Sequence, residues 1–298
     1  MLNMPGDEEI CEFRLPALFE SSDGYAARWQ KRFLICQKIQ ISSLVAAAIG
    51  GATTWAYHDF RISACITVVA LIVAIGVRIY IASNKPERKW YNGRAAAESI
   101  KTLAWKYTQR AIPFPTTLTP KEADNLFLRR VEEVLATAPK LDEPVPNTNT
   151  KQITDDMRAI RAKPLTKRKS YYIKLRIDDQ VAWYSGKATF NARRSDMWTI
   201  SIVVIEVSAI ILAVLRFAGF CDFDSSGILA TAASGAVAWL QSRQHESLSQ
   251  SYSVTSQELA AVSSVITQAS TESDWATKVE QAEEAISREH TLWIASHR

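Results

Sequence analysis

Glu206 is a carboxylate in surroundings where an acid is costly. It lies near the centre of WTISIVVIEVSAIILAVLR, which runs from Trp198 to Arg216 and is otherwise almost entirely apolar. An acid at the centre of a membrane helix costs about 2.5–3.5 kcal/mol on insertion scales, so this side chain should face protein or water. Glu206 and Thr199, two turns earlier, are therefore pore-lining or ion-path candidates, because copies in a symmetric oligomer would form a carboxylate ring. The alternative is a protonated or hydrogen-bonded glutamate that joins helices, for instance through a Ser or Thr in residues 225–242.

Two further sets of charged residues could bind ions. Asp222 and Asp224 follow the apolar stretch and could collect cations at the outer mouth of a pore, although aspartates in such loops are usually only solvated. The second set would form a polar cluster on the cytoplasmic side and consists of Arg176, Asp179, Arg288, Glu289 and His290. This cluster could bind an anionic signal, and the alternative is ion pairing between neighbouring helices.

The sequence has no pattern typical of an enzyme or a metal centre. It contains no Gly-rich phosphate loop, no nucleophile elbow and no His/Cys cluster at metal-ligand spacing. His290 and His297 are two helical turns apart, which is too far for one metal ion. The net charge of +4 is not concentrated in the dense basic face that nucleic acid requires. We therefore expect no catalytic residues, no metal, no cofactor and no nucleic-acid partner.

Four apolar stretches are the elements that would position these side chains. A bilayer core about 30 Å thick requires roughly 20 helical residues, and residues 39–57, 62–82, 198–215 and 225–242 fit this length. The fourth is the weakest because it is rich in Ala, Gly, Ser and Thr. Buried helices of a soluble protein would be equally apolar, but aromatic residues at the ends of the stretches favour a membrane interface. These aromatic residues are Trp55, Tyr57, Tyr80, Trp90, Trp198 and Trp239.

The basic residues predict the orientation of the four spans. If the spans pair as two hairpins, the two tips hold only Arg61 and Arg216. The opposite ends hold thirteen basic residues: Arg28, Lys31, Arg32, Lys38, Arg78, Lys85, Arg88, Lys89, Arg94, Lys187, Arg193, Arg194 and Arg243. Because positive loops stay inside, both termini should be cytoplasmic in a multi-pass protein of the plasma (inner) membrane.

The remaining sequence predicts further helices and close helix packing. Thr119-Pro120-Lys121-Glu122 is a capping box that should start a helix ending near residue 137, and residues 167–215 lack proline and could form one helix about 70 Å long. No strand-like alternation is present. Pairs of small residues four apart would let membrane helices approach closely. These pairs are Ala46 and Gly50, Ala47 and Gly51, and Ala232 and Ala236.

The chain reads as two modules of similar layout. Residues 1–138 and 167–298 each contain a basic helix, a membrane hairpin and amphipathic helices, and a Pro/Asn/Thr-rich linker over 139–166 separates them. The predicted fold is an all-α membrane protein with four transmembrane helices in two tandem hairpins, whose long helices extend into a cytoplasmic helical bundle.

Several strings in the chain resemble a known family of membrane effectors. RKSYYIKLRIDDQVAWYSGKA (168–188) and VEQAEEAISREHTLWIASHR (279–298) are similar to a SLATT module, a SMODS- and SLOG-associating two-transmembrane effector domain. The first half, with GRAAAESIKTLAWKYTQRAIPF (93–114), resembles another SLATT subfamily. The resemblance implies a membrane-perturbing or pore-forming effector of a prokaryotic conflict system triggered by nucleotide signals, and it implies no catalytic residues.

Together these observations predict an oligomeric membrane channel or pore-forming effector that is gated from the cytoplasm. Its expected partners are the lipid bilayer, further copies of the chain, and a cytoplasmic nucleotide-signalling partner or ligand. The alternative is a non-conducting membrane scaffold or sensor that recruits a soluble cytoplasmic partner. Release of potassium or dye from liposomes separates the two functions.

The predicted orientation can be tested with the native cysteines. Cys221 lies in the second hairpin tip and Cys11 in the N-terminal segment. A membrane-impermeant thiol reagent applied to intact cells should label Cys221 and spare Cys11, because only the tip is predicted to be outside. Labelling of Cys11 without Cys221 would reverse the orientation.

Overall fold

The protein is built from α-helices. The computed structural model describes residues 13–54, 61–137, 151–220 and 225–295; 87% of these residues are helical and none is in a strand. This confirms the predicted all-α class. The helices are α1 (Ala17–Ala52), α2 (Ile62–Asn84), α3 (Pro86–Gln109), α4 (Pro120–Thr137), α5 (Asp155–Ala162), α6 (Leu165–Tyr172), a π-helix (Ile173–Asp178), α7 (Asp179–Phe217), α8 (Ser225–Arg243), α9 (His245–Ile266) and α10 (Glu272–Ala295).

Three helices among the described residues are long and apolar enough to cross a membrane. They are Ala17–Ala52, Ile62–Gln109 and Leu165–Phe217. They include residues 39–52 of the first predicted span and all of the second and third. Large apolar side chains on them are exposed, for example Ile72 at 62% and Ile200 at 64%. An apolar surface of this extent is typical of contact with lipid or with another protein. Helix α8 forms over the fourth predicted span, but its Ala, Gly, Ser and Thr content leaves it outside this set.

The third of these helices runs without a break for 53 residues. It combines α6, the π-helix and α7, as the absence of proline between residues 167 and 215 predicts. At 1.5 Å per residue it is about 80 Å long. Its apolar half therefore continues directly into a helix that carries polar side chains.

The chain divides into two compact units. Unit 1 contains the described parts of residues 1–26, 91–182 and 257–298, and unit 2 contains those of residues 27–90 and 183–256. Each unit thus draws on both halves of the sequence.

Unit 1 is a helical bundle with an aromatic core. The ring of Tyr172 makes edge contacts with Trp105 and Trp275, with centroids 5.7 Å apart in each case. Trp275, Val279 and Ala282 lie at helical spacing along α10 and form its apolar stripe, and all three are fully buried in the same cluster. A second cluster surrounds Tyr107, Phe114 and Phe127. The apolar stripe of α10 is therefore a packing face.

Capping residues set the starts of two helices in unit 1. The backbone N–H of Thr119 donates to the Glu122 carboxylate at 2.8 Å, and the N–H of Glu122 donates to the Thr119 hydroxyl at 3.3 Å. This confirms the predicted capping box. Thr154 caps α5 in a similar way by accepting a hydrogen bond from the N–H of Met157 at 3.2 Å.

Helix α5 lies inside the segment that the composition assigned to a linker. Residues 139–150 of that segment lie outside the described residues, and the remainder forms α5 with Met157 and Ile160 buried. Helix α5 forms because it has a threonine cap, no internal proline, and apolar residues three apart. Only the first part has the proline-rich composition of a linker.

Unit 2 holds α1 against both α2 and α8. The hydroxyl of Thr67 in α2 donates to the carbonyl of Ala47 in α1 at 3.4 Å. A side chain added at Gly50 would place its Cβ 2.5 Å from Thr67 Oγ1 and 2.8 Å from the Ser63 carbonyl oxygen. On the other contact, a Cβ at Gly235 of α8 would lie 2.9 Å from Ile41 Cγ2. These helices approach closely because glycine lacks a side chain at both points.

The predicted small-residue pairs differ in their surroundings. Ala47, Gly50 and Ala236 are buried, whereas Ala46 and Ala232 are half-buried. Gly51 is exposed, and a Cβ there would meet no atom within 4 Å. The prediction of close packing at Gly51 is therefore wrong within the protomer. Residue 51 lies about 100° around the helix from Gly50 and so does not face α2.

Gly50→Leu should destabilise the protein, and Gly51→Leu serves as its matched control. The new side chain at residue 50 overlaps Thr67 and the backbone of Ser63, so it must push α1 and α2 apart. Overpacking of this kind costs about 1–3 kcal/mol or more. The midpoint of thermal unfolding in detergent should fall for Gly50→Leu and stay near the wild-type value for Gly51→Leu. Equal midpoints for both variants would contradict the packing of this hairpin.

Candidate functional site

The surface of α7 that carries Glu206 is exposed. Thr199 and Glu206 are both exposed, and large apolar residues flank them on the same side of the helix. Val203 is 51% exposed and Ile210 is 63% exposed. The residues at positions 199, 203, 206 and 210 follow helical spacing, so the two polar candidates share one uncovered face.

The Glu206 carboxylate has no hydrogen bond or ion pair among the described residues. The hydroxyls of Ser208 and Thr231 form hydrogen bonds within their own helices. Ser208 donates to the Val204 carbonyl at 2.8 Å, and Thr231 donates to the Gly227 carbonyl at 2.9 Å. A hydrogen bond from α8 to Glu206, the alternative considered above, is therefore not formed in the protomer. The carboxylate points away from the described part of its own chain.

The predicted outer-mouth residues Asp222 and Asp224 lie outside the described residues. The loop before them is described up to Phe220, where Phe217 and Phe220 are 95% and 80% exposed. Large apolar side chains that are this exposed are typical of contact with lipid or with another protein. The aspartates stay candidates on the sequence alone.

Arg176 is the predicted cytoplasmic residue with the most extensive contacts. Its side chain is 1% exposed and lies against Glu283 of α10, which is 0% exposed. Nε of Arg176 donates to Glu283 Oε1 at 3.0 Å, and Nη2 donates to Oε2 at 2.8 Å. This two-pronged geometry is the strongest form of guanidinium–carboxylate contact. Both charges are removed from water, so each depends on the other.

Two neutral donors complete the surroundings of Glu283. The Tyr172 hydroxyl donates to Oε1 at 3.0 Å and the Thr102 hydroxyl donates to Oε2 at 2.9 Å. The carboxylate thus accepts four hydrogen bonds from three segments: α3, α6 and the π-helix. We call Thr102, Tyr172, Arg176 and Glu283 the buried polar network. It ties α10 to the helix that continues into the Glu206 span.

The protonation states of this network follow from its contacts. Burial raises the pKa of Tyr172, and the adjacent Glu283 charge raises it further. Burial acts to lower the pKa of Arg176, but the charge and hydrogen bonds of Glu283 outweigh it, so the net shift is upward. The arginine therefore stays charged and the tyrosine stays a neutral donor.

Asp179, another residue of the predicted cytoplasmic cluster, is not part of this network. Asp179 is exposed and accepts a hydrogen bond from its neighbour Gln180 at 3.1 Å. Arg288, Glu289 and His290 belong to α10, and their side chains lie outside the described residues. Arg176 pairs with Glu283 of a neighbouring helix, a residue that the predicted cluster did not include.

Spacing did not identify three members of the network: Thr102, Tyr172 and Glu283. Glu283 directly follows Ala282 in the apolar stripe of α10, and a charged residue at the edge of a packing stripe is a signal for a buried ion pair. Tyr172 and Thr102 carry no such signal because only the packing of α3 against α6 and α10 brings them near Glu283. No group of three or more His, Cys, Asp or Glu residues converges as a metal site in the part of the chain that the structure describes.

Sequence models of two protein-family domains match the chain. Residues 16–169 match SMODS and SLOG-associating 2TM effector domain 3, and residues 172–293 match SMODS and SLOG-associating 2TM effector domain 1. The chain belongs to the SLATT family. It carries two SLATT domains in tandem, which confirms the resemblance found in the sequence. A search of curated proteins and a search of solved structures gave no match.

The family and the helices together establish a membrane protein. SLATT domains are two-transmembrane effector domains, so the tandem protein is consistent with a membrane effector. The first SLATT domain contains the candidate spans in α1 and α2, and the second contains the one in α7. The Arg176–Glu283 pair lies within the second domain and joins its first and last parts.

Removing one partner of this buried pair should cost more than removing both. Glu283→Leu leaves the Arg176 charge buried without its carboxylate, which typically costs about 3–5 kcal/mol. Arg176→Met/Glu283→Leu removes both charges and should recover part of the loss in the unfolding midpoint. Arg130→Met is the control, because its pair with Glu133 is largely exposed and should leave the midpoint unchanged. Strictly additive effects of Arg176→Met and Glu283→Leu would contradict the coupling.

Proposed function

We propose that this SLATT protein is a homo-oligomeric ion channel of the plasma membrane, and that Glu206 faces its water-filled path. The observation that carries the proposal is the uncovered α7 face, where a carboxylate without a partner among the described residues lies between exposed apolar side chains. In lipid this carboxylate would cost about 2.5–3.5 kcal/mol. A neighbouring copy of the chain would cover the apolar residues and leave the carboxylate in water.

The proposed topology has four spans. Helix α8 has 19 residues, or about 28 Å of helix, and no charged residue lies between residues 225 and 242. The domain description of two transmembrane helices per SLATT domain supports α8 as the fourth span. The thirteen basic residues near one set of span ends, against two at the hairpin tips, support cytoplasmic termini. Unit 1 is then the cytoplasmic helical bundle.

Oligomerisation is part of the proposal because one protomer has too few spans. Four packed helices fill their own centre with side chains and leave no wide path for hydrated ions. Copies of α7 arranged around an axis would bring the Glu206 carboxylates into a ring. Such a ring attracts cations and repels anions. The proposed selectivity is therefore for cations.

The proposed gate lies on the cytoplasmic side. The buried polar network ties α10 to the helix that becomes the Glu206 span. A signal that acts on unit 1 would reach the span through this continuous helix. In a conflict system triggered by nucleotide signals, the trigger would be a nucleotide or a nucleotide-signalling partner, and opening would perturb the membrane.

Glu206→Gln tests the ring because it keeps the size of the side chain and removes its charge. In liposomes with asymmetric KCl, the wild type should show a reversal potential close to that of potassium. The variant should show a smaller cation preference or a conductance changed severalfold. Glu132→Gln removes an exposed acid from α4 of unit 1 and should change neither value.

The same liposome measurements distinguish the channel from its alternatives. A conducting Glu206→Gln variant with an unchanged reversal potential would remove Glu206 as the selectivity residue. A Glu206→Leu variant that loses assembly, together with a silent Glu206→Gln, would make Glu206 a link between helices. Wild-type protein that releases no potassium under any condition, or that is monomeric by mass in detergent, would favour the non-conducting scaffold or sensor.

A further inference from the structure

Two cations lie over one tryptophan in unit 2, and a third lies near one of them. Nζ of Lys38 from α1 and Cζ of Arg243 from α8 each lie 5.8 Å from the ring centroid of Trp239. Arg194 of α7 is close enough to act electrostatically on Arg243. Lys38 precedes the first span and Arg243 ends α8, so the group lies at the level where tryptophans meet lipid headgroups.

The described part of the chain offers no carboxylate that compensates the charge of Arg243. Burial and then the charges of Arg243 and Arg194 lower the pKa of His245, and burial followed by Arg194 lowers that of Arg243. No carboxylate among the described residues acts on either group. Lys38, Arg194 and Arg243 also form no ion pair in the described chain. Cations held together in this way, one of them half-buried, favour a bound anion.

An apolar groove begins at the same lysine. It lies between α1 and α2, has a volume of about 610 Å³, and is lined at one end by Lys38. Ile39 and Ala46 of α1 and Val69 and Val73 of α2 line the remainder with small or aliphatic side chains. Residues 38 to 46 cover about 12 Å along the helix axis. The groove is open along its side and runs parallel to the two spans.

We propose that unit 2 binds one anionic phospholipid, whose phosphate contacts Lys38, Arg194 and Arg243 and whose acyl chain lies in the groove between α1 and α2. Arginine matches the oxygens of a phosphate in pairs, and lysine adds a point charge. Basic pockets between membrane helices bind anionic headgroups for the same reason. The groove beside the cations favours a lipid over a free phosphate, because only a lipid carries a chain that covers it. This inference does not depend on conduction.

The test uses the full chain in detergent, with the midpoint of thermal unfolding as readout. Dioleoyl phosphatidylglycerol, dioleoyl phosphatidylcholine and sodium phosphate are added in separate titrations. At about 100 times its Kd the phosphatidylglycerol should raise the midpoint by about 3–8 °C, while the other two should change it little. An equal shift with phosphatidylcholine would overturn the headgroup contacts, and an equal shift with sodium phosphate would overturn the lipid.

Two sets of variants locate the site. Lys38→Gln/Arg243→Gln should lose most of the phosphatidylglycerol shift, whereas the control Lys121→Gln/Arg129→Gln removes two exposed cations from α4 and should keep it. Arg194→Gln alters one exposed side chain and should lose part of the shift even if the double variant folds poorly. Ser42→Trp fills the groove and should weaken the lipid effect with the cations intact. A full shift in Arg194→Gln and in the double variant would place the lipid elsewhere.

Discussion

Hydrocarbon offers no hydrogen-bond partners, and this constraint governs the apolar helices of the chain. Every backbone N–H and C=O in a bilayer must be bonded within the protein, which leaves helices as the form available to this sequence. The hydroxyls obey the same constraint: Ser201 and Ser234 donate to carbonyls four residues earlier in their own helices. Glu206 cannot be satisfied in this way, because an ionised carboxylate has no proton to donate to a carbonyl. It needs water or another chain, and a shared ion path would supply both.

Unit 1 buries two opposite charges against each other. Arg176 and Glu283 neutralise each other in a nearly water-free setting, and Thr102 and Tyr172 donate the remaining hydrogen bonds. Such a pair contributes more to the choice of one arrangement than to net stability. It is therefore suited to hold α10 in one register against the helix that continues into the Glu206 span.

The two proposals for the membrane part address different surfaces of unit 2. The ion path uses the exposed face of α7, and the lipid site uses cations around Trp239 with the groove between α1 and α2. Glu206 in the former and the three cations in the latter share one physical feature, charge without a partner in the described chain. The expected partners of Glu206 are water and other copies of the chain, and the expected partner of the cations is an anionic headgroup. In each case the partner is one that the surrounding apolar surface permits.

Local patterns in the sequence were sufficient for the helices. Periodicity, the capping box at Thr119 and the proline-free run after residue 167 predicted the all-α class, because helix formation depends on neighbours three or four residues away. The apolar lengths predicted four spans, and three helices in the described residues are long and apolar enough to cross a membrane. The strings near residues 168–188 and 279–298 also identified the family. Only the tertiary structure decided which distant residues are in contact. Arg176 meets Glu283 across 107 residues, Gly50 rather than Gly51 faces α2, and Glu206 points away from its own chain. These depend on how each helix is rotated about its axis, and that rotation is set by the summed packing of all its neighbours.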